Sequence, residues 1–410
     1  MHQRLVIPAL LLESFMDRFR SRPGCVVEAP LFVLEQAASR ELLVPAEGPP
    51  HAGRCARFAL RGTSCQERMD WRLWMARGAP SNLPLTVETY LFEDGQGFVG
   101  AVLEKGRVVP LDELWVPGAS MKRWRRVQGC DEEGRALPNG GWDENDRFSR
   151  LRGALSSEVL HRLQKSSFCQ IGAGGLGTIV AETLGRMGVG ELKVVDHDRV
   201  EVPNLCTMGL LGESDLGQPK AAAIARRLKS LIPGLRVQGL AVEAEHPLAV
   251  AAAMGADVIL TVPDHGRPRL QEALIATANL RPHLDIGTAV LSAEPLRAGA
   301  DVRLILPGDA CCLLCLGGIP RMAARDQAWN ATRAGSLRTL NQMAAHLGLF
   351  LLERLFAGTL KHSTWMRIEM SHASEPVIRA MDPSPVRADC PICPLSGRGP
   401  RALEGPIVAE

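Results

Sequence analysis

No stretch of this 410-residue chain holds the ~20 consecutive apolar residues that a membrane-spanning helix needs. Charge of one sign is missing too: 47 Lys and Arg stand against 45 Asp and Glu, a net charge of +2. That balance argues against a nucleic-acid binder and against an acidic scaffold. The opening MHQRLVIPALLLESF has too short an apolar run for a signal peptide, and Pro8 and Glu13 interrupt it. Histidine is scarce ahead of Arg147, where only His2 and His51 occur. Cysteine is absent from Leu316 to Asp389. The eleven cysteines elsewhere are an odd count, and two pairs have CxxC spacing. This pattern speaks against a disulfide framework and for metal-bound thiolates in a reducing compartment, so a cytoplasmic protein is expected.

What is present is organised around Ser167 to Lys220. Phe168 to Ile171 read as a short apolar strand, followed at once by Gly172-Ala-Gly174-Gly175-Leu-Gly177. A helical run follows, with Ile179, Val180, Leu184 and Met187 at roughly helical spacing, closed by Gly188 and Gly190. A second strand, Glu191 to Val195, ends in Asp196. Strand, glycine turn, helix, strand and then an acid about twenty residues past the glycines form the layout of a nucleotide-binding βαβ unit. Asp196 would take the ribose hydroxyls. Lys220 lies in the first turn of a helix beginning near Pro219, where the macrodipole disfavours a cation by about 0.3–1 kcal/mol. A lysine there makes sense if an anion shares the site.

The run continues as Asp196-His-Asp198-Arg-Val-Glu201-Val-Pro-Asn204-Leu, and Gly217-Gln-Pro219-Lys220 opens a further helix. A GxGGxG turn, a GVG before the second strand, a DxDxVxxxNL run and a GxxK helix start, in that order, closely resemble the ThiF/MoeB-like adenylyltransferases, the family of the ubiquitin-activating enzymes. The resemblance covers about Arg147 to Cys393. It implies a Rossmann-like, doubly wound α/β adenylation domain over 147–400 that uses ATP and catalytic Mg2+. Asn204 matches the family asparagine near the phosphates, and Asp264, after the strand Ala256 to Val262, matches the magnesium-binding aspartate. Arg150, in Arg147-Phe-Ser-Arg150, matches an arginine that reaches the partner subunit's ATP site, which implies a homodimer. One departure stands out: the family arginine after the NL pair is Thr207 here, so a charge is lost unless a cation such as Arg199 replaces it.

Residues 1–126 read as a smaller accessory α+β domain, with a strand at Leu5 to Ile7, an amphipathic helix at Leu10 to Phe19 and strands near 97–103 and 107–110. Trp71, Trp74, Trp115, Trp124 and Trp142 precede the glycine turn and suggest an aromatic core or a contact face. Some bacterial relatives carry a JAB/MPN-like peptidase module here. Two distant histidines cannot supply its HxH zinc site, so any such module would be degenerate, and the other reading is a domain for carrier or partner binding. Lys122 to Arg126 form a basic knot, read as a solvated face. The polar, glycine-rich 127–146 is the expected linker.

Cys312-Leu-Leu-Cys315 and Cys390-Pro-Ile-Cys393 fit a tetrahedral, structural four-cysteine Zn2+ site, although Cys311 leaves the first ligand open by one position. Arg321 to Gly335 read as a crossover loop and Ser336 to Ala357 as a long apolar helix. Family members that conjugate keep a thioester cysteine between the knuckles, where this chain has none. Cys206, near the adenylate site, reads as a small buried apolar residue. The expected function is ATP-dependent adenylation of the C-terminal carboxylate of a small ubiquitin-like protein with a Gly-Gly-type tail, feeding a conjugating enzyme. The alternatives are a sulfur-carrier or peptide adenylyltransferase in biosynthesis and a catalytically weak nucleotide-bound scaffold. Neither nucleic acid nor membrane is expected as a partner.

Overall fold

A computed structural model describes residues 2–22, 26–35, 39–45, 54–61, 85–92, 98–104, 107–118, 121–125, 147–263, 266–309, 311–319, 335–382 and 389–399. The nucleotide-type half is built on an eight-stranded sheet. We number strands through the chain, so that β11 is Ser167–Ile171, β12 Glu191–Val195, β13 Val237–Leu240, β14 Val258–Thr261 and β15 His283–Ala293. These five run parallel in the order β13-β12-β11-β14-β15. Three antiparallel strands extend the sheet: β16 (Leu296–Ile305), β17 (Thr364–Ser371) and β18 (Ser374–Met381). β11, β12 and β14 are buried at most positions because helices cover both faces of the parallel part.

The crossover helices follow the predicted periodicity. The helix after β11, Gly175–Met187, buries Ile179, Val180, Leu184 and Met187. Ser157–Lys165 starts on Ser156, whose hydroxyl accepts from the Val159 amide at 3.3 Å, a cap worth ~1 kcal/mol. It buries Val159, Leu160 and Leu163. The long helix Arg338–Phe356 lies across the sheet, with Leu340, Ala344, Leu351 and Leu355 buried. No helix among the described residues is long and apolar enough to cross a membrane.

After β11 the chain goes to β12 on one side, whereas the connection from β13 returns to β14 on the other. The strand order therefore reverses between β11 and β14. In open parallel sheets the ligand crevice lies outside the carboxyl ends of the strands at such a point.

Upstream, two five-stranded sheets stand in the orders β10-β9-β1-β4-β3 and β2-β5-β6-β7-β8. Here β1 is His2–Val6, β2 Val26–Pro30, β3 Phe32–Glu35, β4 Ser39–Leu43, β5 Arg54–Arg61, β6 Leu85–Phe92, β7 Phe98–Glu104, β8 Arg107–Pro110, β9 Glu113–Val116 and β10 Lys122–Arg125. The helix Ala9–Ser21 packs Phe15 and Phe19 into this region's core. Val6, Leu43, Trp115 and Met121 pack instead with the core of the large sheet. Trp71, Trp74 and Trp142, the linker 127–146 and most of the crossover loop 321–335 fall outside the described residues.

Candidate active site

β11 delivers its chain straight into the crevice. Gly172 has φ +102°, a conformation that side-chain-bearing residues rarely adopt. A Cβ there would also lie 2.9 Å from the Val262 carbonyl at the end of β14. Gln170 locks the turn, its side-chain amide donating to the carbonyl oxygens of Gly172 at 2.8 Å and Gly177 at 2.9 Å. Gly177 must lack a side chain because a Cβ would collide with the Gly172 oxygen. The helix begins at Gly175 with Gly174 as its N-cap, so no capping side chain occupies its first-turn amides. Such amides, at the positive end of the helix, are suited to phosphate.

Asp196 closes the turn from β12. Its two oxygens accept from the amides of Ala173 at 2.6 Å and Asp198 at 2.8 Å. Burial pushes this carboxyl above its usual pKa, opposed by the Asp198 amide, the Lys220 ammonium and the Ala173 amide. Two amides use about half of a carboxylate's acceptor sites and leave capacity for hydroxyl donors. Lys220 is 8% exposed at the start of Lys220–Leu231. Its ammonium lies 2.8 Å from the Asp198 carboxylate, and its amide donates to the Asp198 carbonyl at 2.8 Å. The anion that the sequence calls for beside Lys220 is thus supplied within the chain by Asp198, whose side chain stays 53% exposed.

Asn204 ends a short 3-10 turn, its side-chain oxygen accepting from the Glu201 amide at 2.9 Å. Thr207 follows, and its hydroxyl donates to the Asn204 carbonyl at 3.1 Å. Thr207 presses on the glycine turn: a Cβ at Gly175 would lie 2.9 Å from the threonine Cβ and 3.2 Å from the Asn341 amide nitrogen. Asn341 is fixed by Thr288, 2.9 Å away, and Ser336, 3.1 Å away. Arg338 was missed in the sequence. Its guanidinium donates to the Thr207 carbonyl at 3.0 Å and abuts Gly209. Like Lys220, it is a cation in a helix's first turn, and that was the available signal. Arg199, offered above as the replacement charge, instead donates to the Gly217 carbonyl at 2.7 Å from an exposed position.

The structure thus brings Gly172, Gly174, Gly175, Gly177, Asp196, Asn204 and Lys220 together about the glycine turn. Arg150 sits exposed on the short helix Ser149–Ala154. Asp264 lies outside the described residues, just past Pro263.

Away from the crevice, the thiols of Cys312, Cys315, Cys390 and Cys393 converge within 4.8 Å of one another. Cys312 lies 3.8 Å from Cys315 and 3.5 Å from Cys390, and Cys315 lies 3.6 Å from Cys393. Tetrahedral zinc at a Zn–S length of ~2.3 Å spaces its sulfurs by ~3.8 Å, so the set fits that ion. The neighbouring Cys393 thiol and burial push the Cys312 thiol far up, and burial raises Cys390 to about 11. Cysteine binds a metal as the thiolate, so a cation here would take the thiol protons. Cys311 stands outside the cluster, which assigns the first ligand to Cys312.

The model of the ThiF family matches residues 148–391, more than half of the chain. The chain belongs to the ThiF family. It is 33% identical over 160 residues to a sulfur carrier protein adenylyltransferase of Thermus thermophilus, covering 38% of this chain and 54% of that protein. It is 34% identical over 180 residues to the sulfur carrier protein ThiS adenylyltransferase of Bacillus subtilis, covering 42% and 50%. The chain therefore spans about half the length of these curated relatives. A solved structure of MccB from Escherichia coli with ATP matches its fold at a TM-score of 0.50 and 22% identity, over 62% of this chain and 76% of that one.

Two expectations for this ThiF-family chain are corrected. Cys206 is exposed rather than buried, its thiol 3.3 Å from the Pro203 carbonyl, because it lies on the outer side of the Asn204 turn. The basic knot is a solvated face only in part: Lys122 is exposed, but Arg123 turns inward. Lys122 to Arg125 form β10 against β9, and Arg123 pairs with the buried Asp257 and stacks on Trp115.

Proposed function

We propose that this chain adenylates the C-terminal carboxylate of a small sulfur-carrier-like protein, with ATP as the other substrate. The observation that carries the reading is the shared crevice: a helix N-terminus with no side-chain cap, the Asp196 carboxylate and two first-turn cations, Lys220 and Arg338, around the point where the strand order reverses. Dinucleotide chemistry would need only the glycine turn and the acid. Two buried or half-buried cations beside them suit a triphosphate.

In the proposed reaction, a carboxylate oxygen of the carrier tail attacks the α-phosphorus of ATP. The bond from that phosphorus to the bridging oxygen breaks, and pyrophosphate leaves. A carboxylate is already ionised at neutral pH, so no general base is needed. Catalysis is then placement and charge stabilisation. The first-turn amides after Gly174 and the Lys220 ammonium would hold phosphate oxygens, and Asp196 the ribose. Arg338 would supply the charge that Thr207 lacks. Asp264 would be the acid for Mg2+, and Arg150, exposed at the start of the unit, would act in trans across a homodimer.

The names of the curated relatives favour a sulfur carrier over a conjugating pathway. Carrier-dependent ATP–pyrophosphate exchange tests the reading. Exchange should appear with a free carrier carboxylate, vanish with a C-terminally amidated carrier, and fall at least tenfold in Lys220→Ala. Wild-type protein that binds ATP but never exchanges, across candidate carriers, would leave the scaffold reading in its place. Intact mass taken after the same incubation, with and without reductant, separates adenylation from a thioester on Cys206.

A further inference from the structure

A line of buried charge joins the cysteine cluster to the crevice. Asp285, on β15, has no exposed surface. On one side Arg269, from the helix Gly266–Ala278, donates to both of its oxygens at 2.6 and 2.7 Å. The same guanidinium donates to the carbonyls of Pro263 and Ile286, each at 3.1 Å. Pro263 follows Val262, against which Gly172 of the glycine turn is packed. On the other side Arg303, from β16 and 3% exposed, reaches Asp285 at 3.4 Å. Its Nε donates to the Leu316 carbonyl at 2.9 Å and its Nη2 faces the Gly317 carbonyl at 3.4 Å. Leu316 and Gly317 are the two residues after Cys315, and the Leu316 amide returns to the Cys312 carbonyl at 3.1 Å.

Every link in this chain is a planar, fork-shaped or carboxylate group with little room to adjust. Two buried guanidinium groups share one carboxylate, so displacing one changes the field and the position of the next. A knuckle turn closed on a metal fixes the Leu316 and Gly317 carbonyls. An open turn lets them swing, and Arg303 loses both carbonyls and is left to Asp301, 3.0 Å away, and Asp285.

We propose that Arg269, Asp285 and Arg303 are positioning residues that couple metal in the four-cysteine knuckle to the Pro263 side of the nucleotide crevice. The knuckle then does more than clip the C-terminal segment in place: zinc and ATP favour each other's binding. The inference rests on the crevice being an ATP site. Linkage requires the coupling to run both ways with the same factor.

The test uses the full zinc-loaded chain and follows zinc release to a chromogenic chelator to its equilibrium end point, with and without saturating ATP. ATP should hold back release, raising the apparent zinc affinity about tenfold in the wild type. Arg303→Lys keeps the charge but cannot span Asp285 and both carbonyls. It should still load zinc, bind ATP roughly tenfold more weakly, and show a less than twofold effect of ATP on release. A release equilibrium indifferent to ATP in a wild type that binds ATP by calorimetry would overturn the relay alone. So would an Arg303→Lys protein as strongly coupled as the wild type. A wild type that binds no ATP at all would overturn the relay and the adenylation reading together.

Discussion

Among single residues, Arg338 and Glu272 carry the sharpest expectations. Arg338 reaches the Thr207 carbonyl from a helix start, so Arg338→Ala should weaken ATP binding by about tenfold, the scale of one charge-assisted contact. Isothermal titration checks it, and an unchanged affinity would leave Thr207 uncompensated. Glu272 is fully buried with neither oxygen hydrogen-bonded among the described residues, and burial followed by Glu245 raises its pKa from 4.5 to about 8. Between those values the folded state keeps a proton that the unfolded state releases, so stability falls as pH rises through the window. Glu272→Gln removes this slope. Relative to wild type it should gain on the order of a few kcal/mol at pH 8 and little at pH 4.5, read from denaturant melts. Parallel pH curves for the two proteins would refute it. At this scale the sequence was legible where chemistry shows in a residue's position, as with Lys220 in a first helical turn. Arg338 stayed hidden because 131 residues separate it from Thr207 and only the folded sheet joins them. Arg123 misled because a basic run looks the same whether it faces water or Asp257.

Among elements, β11, its helix and β12 could be read directly, since each is a local pattern of apolar spacing bounded by glycine. The antiparallel extension could not. β18 alternates so little between buried and exposed that its pairing with β17 leaves no period-two signal. The knuckles were legible as two pairs, but which of Cys311 and Cys312 binds is a matter of side-chain direction and needed the fold. Cys390→Ser should therefore cost more than Cys311→Ser. The first breaks a four-thiol set between distant segments and should lower Tm by several degrees with loss of zinc by atomic absorption. The second should retain the metal. Equal zinc content in the two variants would mean the ligand assignment is wrong.

For the whole molecule, the upstream region and the large sheet are joined through charge. Asp257, at the start of β14, accepts from the Ser167 amide and hydroxyl at 2.8 and 2.9 Å. It also pairs with Arg123 and lies 3.7 Å from Arg4. Burial is the largest single effect and raises its pKa, but Arg123, Arg4 and the Ser167 amide together hold it below the usual carboxylate value. Arg281, with no exposed side-chain surface, pairs with Glu41 and lies 4.7 Å over the Trp115 ring. Removing 1–126 would take these partners from Asp257 and Arg281 and uncover the core surface that Val6, Leu43, Trp115 and Met121 cover. The full chain should therefore melt in one calorimetric transition, and a fragment starting at residue 147 should melt far lower or fail to stay in solution. Two separate transitions, with the fragment keeping the higher one, would show that the regions fold independently. No sequence pattern announced this joint, because its partners come from five separate stretches of chain.

The joint also has a direction. Asp257 and Arg281 precede β14 and β15, whereas Gly172 and Val262 follow β11 and β14, so the grip and the crevice lie at opposite ends of the same strands. At ~3.3 Å per residue, the length of β14 puts well over 10 Å of sheet between them. Among the described residues, the upstream region grips the sheet at the end away from the glycine turn. Changes confined to that grip should lower the protein's stability and leave the geometry of the glycine turn in place.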